Sequence, residues 1–426
     1  MLVSKQSQLP DGSYEIMYDF DAGEVRFETG IKGIKYDFNS GARVFIANEL
    51  LAGHTYEVKC FDSDTGAGVK PVVAKKDEKG ILAVSERCYH IHFDISVTKD
   101  GKEIFHHKFD PKGKNVHIEM MNTNGMGDAI CFMTHIEEFR KQHQCNVYIT
   151  MMKRFVEIFE PVFKDIHFIA GEKIDNEGKF PINVWEKLPK DIYVTYYYEV
   201  GYPKNMSTQK EDLRLTGMIK NSADILGVMP LQEFTPKLVA RGRKSVIKDP
   251  YVCISLHGSE PCKSWHNPFG WGKVVKFLKD KGYRVICIDG DGIKNDDHYD
   301  DLMKNGCEDM TGFLPLQDRI NTICGAKFFV GMASGLSWLA WACGKPVVMI
   351  SGFSLPHSEF YTPYRVINTE VCHGCWNDMK YPKQPYLYTS CPIYQNTPRQ
   401  WECSKQITAE MVLDKVKKLL KDIKDK

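Results

Sequence analysis

The sequence predicts an α/β protein: a small β-rich domain at the N-terminus, two successive units of alternating strand and helix, and a four-cysteine segment near the C-terminus. Three observations carry that prediction. Early residues fall into short segments such as "EVRFE", "ARVFI" and "TYEVKCF", separated by turn signals. From about residue 114 strand patterns alternate with helical ones, as βαβ units require. Cys372, Cys375, Cys391 and Cys403 then follow the spacing C-x2-C-x15-C-x11-C, a metal-ligand pattern.

The elements follow in order. Residues 1–113 read as the β domain, closing on "CYHIHFDISVTKDGKEIFHHKF". Its histidines, His90, His92, His106 and His107, invite a metal reading. In a strand, however, His90, His92, Asp94 and Ser96 share one face while Tyr89, Ile91, Phe93, Ile95 and Val97 share the other, which predicts a solvated polar face. Residues 114–245 form the first α/β unit, from strand "NVHIEMMN" into helix "NGMGDAICFMTHIEEFRKQH" and on through "NVYITMM", "RFVEIFEPVF" and "IHFIA". The polar, Pro-ended "ARGRKSVIKDP" marks a hinge. Residues 246–370 repeat the alternation, with strands "YVCISL", "YRVICID", "KFFVG" and "PVVMIS" and helices "WGKVVKFLKDKG", "LQDRINTICGA" and "GLSWLAWACG". Residues 371–404 hold the finger. Residues 405–426 end in an amphipathic helix with Met411, Val412, Val416, Leu419, Leu420 and Ile423 on its apolar side. Two such α/β units place a ligand cleft between the carboxyl ends of their strands.

Charge excludes some functions. With 56 Lys plus Arg against 55 Asp plus Glu the net charge is +1, so no whole-chain field holds the protein on nucleic acid or an anionic membrane. The N-terminal residues lack a secretory h-region and no stretch has the length of a spanning helix, so a cytosolic protein without stable membrane insertion is expected. In that compartment the 14 cysteines read as thiols and metal ligands rather than a disulfide framework. Cys253, Cys287, Cys324 and Cys343, within apolar runs, read as small core hydrophobes.

Three stretches carry chemistry. In "MMNTNGMGDAI", Gly125, Met126 and Gly127 form a turn between strand and helix, where free N–H groups favour an anionic or oxygen-rich ligand. The spacing is not that of a dinucleotide fingerprint, and no Walker lysine follows. Asp128 is either a first-turn carboxylate of the helix or a general base for an incoming hydroxyl. In "LHGSEPCKSWHNPFGW", Lys263 is either a solvated loop lysine or the partner of a phosphate ester. In "FFVGMASGLSWLAWACG", Ser334, Gly335 and Leu336 stand at a helix N-terminus, an anion site that needs no metal.

Cys372 and Cys375 can grip one ion from a tight knuckle containing Gly374, with Cys391 and Cys403 completing a tetrahedral thiolate set; two disulfides are the alternative. Thiolates suit zinc and iron alike. Four cysteines leave no open coordination position, so the site reads as structural: a stapled accessory for assembly or substrate docking, with His373, Trp376, Tyr386, Tyr388 and Trp401 as packing and rim.

Taken together, "GMGD", "PCKSWHN", "YDFNSGARVFI", "FVGMASGLSWLAWACGKPVVMISGFSLPHSEFYTPYRVIN" and the cysteine segment resemble the bacterial autotransporter heptosyltransferases. That resemblance implies the GT-B glycosyltransferase fold of two Rossmann-like domains, the first facing the acceptor and the second the nucleotide sugar. It also implies inverting transfer of heptose from ADP-heptose to serine hydroxyls of an autotransporter passenger, with Asp128 as base and Lys263 stabilising the departing diphosphate. A structural iron in the finger and a homo-oligomer as large as a dodecamer complete the expectation. No catalytic metal is expected. Where the wider heptosyltransferase family has Asp and His in the second-domain turn, this chain has Ala333 and Trp338, matching the autotransporter branch. Two rival readings are transfer of another sugar or to a glycan, and a nucleic-acid-binding metal finger. The near-neutral charge, with only Lys380, Lys383, Arg399 and Lys405 as basic residues around the finger, argues against the last.

Overall fold

The computed structural model describes residues 2–8, 14–20, 25–121, 123, 125–171, 183–198, 209–242, 247–294, 296–381 and 391–424. In strand Asn115–Glu119 Val116, His117 and Ile118 are all buried, so both faces are covered, as a central parallel strand requires. It pairs in parallel with Asn146–Met152 on one side and Ile192–Tyr197 on the other, and Ile166–Gly171 lies beyond Asn146–Met152. By chain order this is a third, second, first, fourth arrangement.

The sheet does not stop there. Ile34–Asn39, from the β-rich segment, pairs in parallel with Ile192–Tyr197 through Phe38 and Asn39, and the antiparallel strands beyond it bring the sheet to nine. The β-rich segment and the first α/β unit therefore share one sheet. Alternation identifies strands but does not say which sheet they join. At this join the Arg43 guanidinium donates to both Asp37 oxygens at 2.6 Å, with both side chains buried. Removing one partner would leave an unpaired buried charge, at a cost of about 3–5 kcal/mol.

A smaller four-stranded sheet packs Phe93, Ile95 and Val97 of strand Phe93–Lys99 against the first. The expected alternation holds from Ile91 to Val97. It fails at His90, which is buried rather than solvated. The residue precedes the strand, and its N–H donates to the Ile225 carbonyl at 2.8 Å, so its ring follows a different path into the core.

The second unit has six parallel strands: Tyr251–Ile254, Arg284–Cys287, Cys307–Asp309, Phe329–Met332, Val347–Ile350 and Arg365–Val366, ordered in space third, second, first, fourth, fifth, sixth. The C-terminal helix Ala409–Lys424 covers one face with Val412, Val416 and Leu419, fully buried at helical spacing. Each contributes about 1.5–3 kcal/mol of gross burial. Helix Gly335–Ala342, on the other face, packs against helix Met126–His143 of the first unit, so the two units share a core. A second bridge forms at Gly217, where helix Leu213–Leu226 breaks with φ 75°; a Cβ there would lie 1.8 Å from the His357 carbonyl oxygen. Only glycine admits that approach. No described helix is long and apolar enough to cross a membrane.

Candidate active site at two facing switch points

In each unit the strand order reverses beside the first strand, and ligands of open α/β sheets bind at such points. The loop leaving Asn115–Glu119 carries Gly125 to Asp128. The loops leaving Tyr251–Ile254 and Phe329–Met332 carry Lys263 and Ser334. All eight of the non-cysteine site residues expected from sequence line one cleft of about 430 Å³: Gly125, Met126, Gly127 and Asp128 from the first unit, and Lys263, Ser334, Gly335 and Leu336 from the second.

Glycines set the local geometry. Gly125 is the residue preceding helix Met126–His143, and a Cβ on it would meet Asp128 Oδ2 at 1.8 Å. The carboxylate thus lies back over the turn, in the first helical turn, where the positive end of the helix favours a negative group. On Gly127 a Cβ would lie 2.8 Å from Trp338 Cδ1, and on Gly335 it would lie 3.1 Å from Met126 Cβ. The two helix starts are in contact across the domain boundary. Gly258 has Lys263 Cβ within 2.6 Å and Ser334 Cβ within 3.0 Å of the same virtual position, so the lysine stem crosses the glycine beside the Ser334 turn. A cationic side chain and a helix N-terminus there share one wall of the cleft.

Several further residues line the cleft, to which the sequence assigns no role there. His257 Nε2 pairs with Asp296 Oδ2 at 2.8 Å, and Nδ1 lies 3.6 Å from Asp289 Oδ2. Burial lowers the His257 pKa, but the Asp296 hydrogen bond and the Asp289 charge outweigh it and the net shift is upward. Asp289 itself is raised by burial, against hydrogen bonds donated by Ser255 Oγ at 2.7 Å and the Leu256 N–H at 2.8 Å. Arg154, Glu359 and Trp376 also face the cleft. The available signal was position: His257 and Asp289 each follow a strand of the second sheet within three residues.

Cys372, Cys375, Cys391 and Cys403 line a second cavity together with Cys262, Phe353 and Trp401, and none is in a disulfide. Burial, then the neighbouring Cys372 and Cys391, push the Cys375 thiol up to about 12; burial, then Cys375, Cys372 and Cys391, raise Cys403. The four cysteines line one cavity as free thiols, and although no three of their sulfurs come within 4.8 Å of one another, the donor set has the chemistry of a thiolate-bound metal. The knuckle glycine Gly374 has φ 67°, and Leu355 packs against it. Tyr386 and Tyr388 fall outside the described residues.

The finger is not remote from the cleft. Cys262 adjoins Lys263, Ser404 Oγ donates to the Ser264 carbonyl at 2.6 Å, and Trp401 stacks on His266 at 5.4 Å. Phe353 lines both cavities. On the other side, Arg214 of the first unit donates to the Tyr381 carbonyl at 2.7 Å and accepts at its own carbonyl from Asn377 Nδ2 at 2.6 Å.

Residues 197–386 match the family model for glycosyltransferase family 9 (heptosyltransferase), and residues 30–101 match that for the N-terminal domain of glycosyltransferase TibC. The chain is 36% identical to the autotransporter heptosyltransferase Aah of Escherichia coli, over 91% of this chain and 93% of Aah. The crystal structure of the iron-containing dodecameric glycosyltransferase TibC from enterotoxigenic E. coli superposes with a TM-score of 0.80 at 33% identity, covering 94% of this chain and 98% of TibC. TibC in complex with ADP-D-beta-D-heptose gives 0.79 at the same identity and coverage. The inactive autotransporter heptosyltransferase BimC of Burkholderia thailandensis is 30% identical over 90% of this chain and 85% of BimC.

Proposed function

Since the chain belongs to the autotransporter heptosyltransferases, glycosyltransferases of the GT-B fold, we propose that it transfers heptose from ADP-heptose to serine hydroxyls of an autotransporter-type protein in the bacterial cytosol, with inversion at the anomeric carbon. One observation carries this reading: Asp128 lines the same cleft as Lys263 and the Ser334 turn, from the opposite domain.

In the proposed reaction the serine oxygen attacks the anomeric carbon while its proton passes to the Asp128 carboxylate. The bond from that carbon to the diphosphate oxygen breaks as the new one forms. Negative charge then gathers on the leaving ADP, where the Lys263 ammonium and the N–H groups of Gly335 and Leu336 receive it. These donors are held by the fold before the reaction starts, so little reorganisation is needed.

Cys372, Cys375, Cys391 and Cys403 would hold one structural iron, as in the iron-containing TibC, with zinc the alternative; a metal bound there supplies folding energy to the segment. A homo-oligomer, with dodecameric TibC as the precedent, is the expected assembly.

The test is intact-mass analysis of an autotransporter passenger after incubation with ADP-heptose and the enzyme. Discrete heptose increments on serine-containing peptides support the reading. An unmodified passenger beside an intact donor would place this chain with the inactive relative.

A further inference from the structure

The histidines of the β-rich segment meet a third one that the linear sequence keeps far away. His143 lies in the last turn of helix Met126–His143, and its ring centroid stands 4.9 Å from that of His90 and 5.9 Å from that of His92. His90 and His92 are themselves 4.8 Å apart. One ring nitrogen from each of the three lies within 4.8 Å of the others, which among the described residues is true of no other group of His, Cys, Asp and Glu.

His143 Nε2 meets Gln142 Nε2 at 3.4 Å, a long contact, while the other two histidines are held at Nδ1. His92 Nδ1 is held by Asp64 Oδ2 at 2.7 Å, which directs its Nε2 toward the cluster as a lone pair. His90 Nδ1 is held by the Tyr196 hydroxyl at 2.8 Å. Its Nε2 has no hydrogen-bond partner although the residue is only 7% exposed. An unsatisfied buried nitrogen is destabilising unless something binds it. A carboxylate behind one imidazole and a hydroxyl behind the next is the supporting shell that metal-bound histidines carry.

We propose that His90, His92 and His143 form a second metal site, distinct from the cysteine finger, that takes one divalent transition-metal ion of the zinc type through three imidazole nitrogens. Bonds of about 2.0–2.1 Å would draw the nitrogens to roughly 3.4 Å from one another, a closure of up to about 1.4 Å that side-chain rotation supplies. His92 and His143 are half-buried, so an ion can enter and a water can complete the coordination. Asp64 and Asp110 lie near enough to favour a dication, against one cation, Lys210.

The ion has a structural role. It ties the loop before strand Phe93–Lys99 to the far end of the helix that begins beside Asp128; that helix has 18 residues, which spans about 27 Å at 1.5 Å per residue. The site lies at the opposite end of this helix from the cleft, and the reaction does not use it.

The experiment is a calorimetric Zn²⁺ titration of the full-length protein with its finger metal in place, read beside elemental analysis and melting temperature. Wild type should take up one zinc beyond the finger metal and melt higher with it, by mass action. His143→Gln should lose that equivalent, with an affinity loss of at least tenfold, keep the finger metal, and show no zinc-dependent rise in melting temperature. Asp64→Asn, at an exposed position that does not threaten folding, should weaken zinc by about 10–100-fold. The cobalt-substituted site should show visible d–d bands without new thiolate charge-transfer bands. Absence of zinc binding beyond the finger, or binding unchanged in both variants, overturns the assignment.

Discussion

Gly127 and Trp338 meet across the domain boundary: a Cβ on the glycine would stand 2.8 Å from Cδ1 of the indole and 3.0 Å from its Nε1. The Gly125–Asp128 turn of one domain is thus seated on the first helical turn of the other. Gly127→Ala should push the indole away, widen the cleft and lower kcat/KM by about tenfold or more, since small misplacements are costly in catalysis. Adding Trp338→Phe should restore part of the loss. A double-mutant cycle on kcat/KM, with additive effects as the contrary outcome, measures the coupling.

Asp128→Asn should lower transfer by about 10²–10⁴-fold, the usual worth of a positioned base, and leave ADP-heptose affinity and melting temperature close to wild type. The amide keeps the shape that lies over Gly125. Calorimetry beside passenger glycosylation tests this, and near-normal turnover would return Asp128 to a helix-capping role.

Lys263→Ala should weaken donor binding and cut kcat by about 10²-fold, because the diphosphate needs its charge offset both before and during departure. Gly258→Ala should mimic it in part, since a Cβ there would lie 2.6 Å from Lys263 Cβ. If Gly258→Ala left both parameters untouched, the lysine would not depend on that wall.

Cys372→Ser should lose the finger metal and, with it, donor affinity. From sequence alone the finger reads as an accessory independent of the nucleotide-sugar site. Its contacts with Ser264, His266 and Cys262 give the opposite expectation, because they support the Lys263 loop from behind. Metal content, ADP-heptose calorimetry and light-scattering mass on one preparation separate the two.

His257 gives a pH signature. Its folded pKa is raised above 6.5, so its contribution to stability is whole below about pH 6.5 and fades as pH climbs through the higher folded value. Burial raises Asp296, but the hydrogen bonds from His257 and the His298 N–H outweigh it and hold it below 3.8, so its contribution holds above that value and is lost as pH falls through the lower one. His257→Gln should flatten the alkaline side of the melting-temperature profile. An unchanged alkaline limb would show that the pair carries no linkage.

Much of this was legible in the chain. Strand–turn–helix spacing around Gly125, Lys263 and Ser334 gave three loops, and the switch-point rule brought them to one cleft. What was not legible depends on contacts far apart in sequence. His90 obeys the alternation of its neighbours on paper, yet a backbone bond to Ile225 takes it out of register. His143 carried no signal at all, standing in the last turn of a helix that is buried along most of its length. Phe38 and Asn39 read as part of a separate β domain, since nothing in a strand's pattern names its neighbour, here Ile192–Tyr197.

That last pairing bears on how the protein can be cut and how it could have arisen. An open parallel sheet ends in a row of unsatisfied amides and carbonyls, a template for aggregation. Here the strand beside Ile192–Tyr197 is supplied by residues 34–39, more than 150 positions earlier in the chain. A truncation at the composition boundary near residue 113 would strip that strand and expose the edge. The N-terminal quarter is therefore not a detachable module fused to a finished second domain, and truncations or chimeras should exchange it only together with the sheet of the first α/β unit.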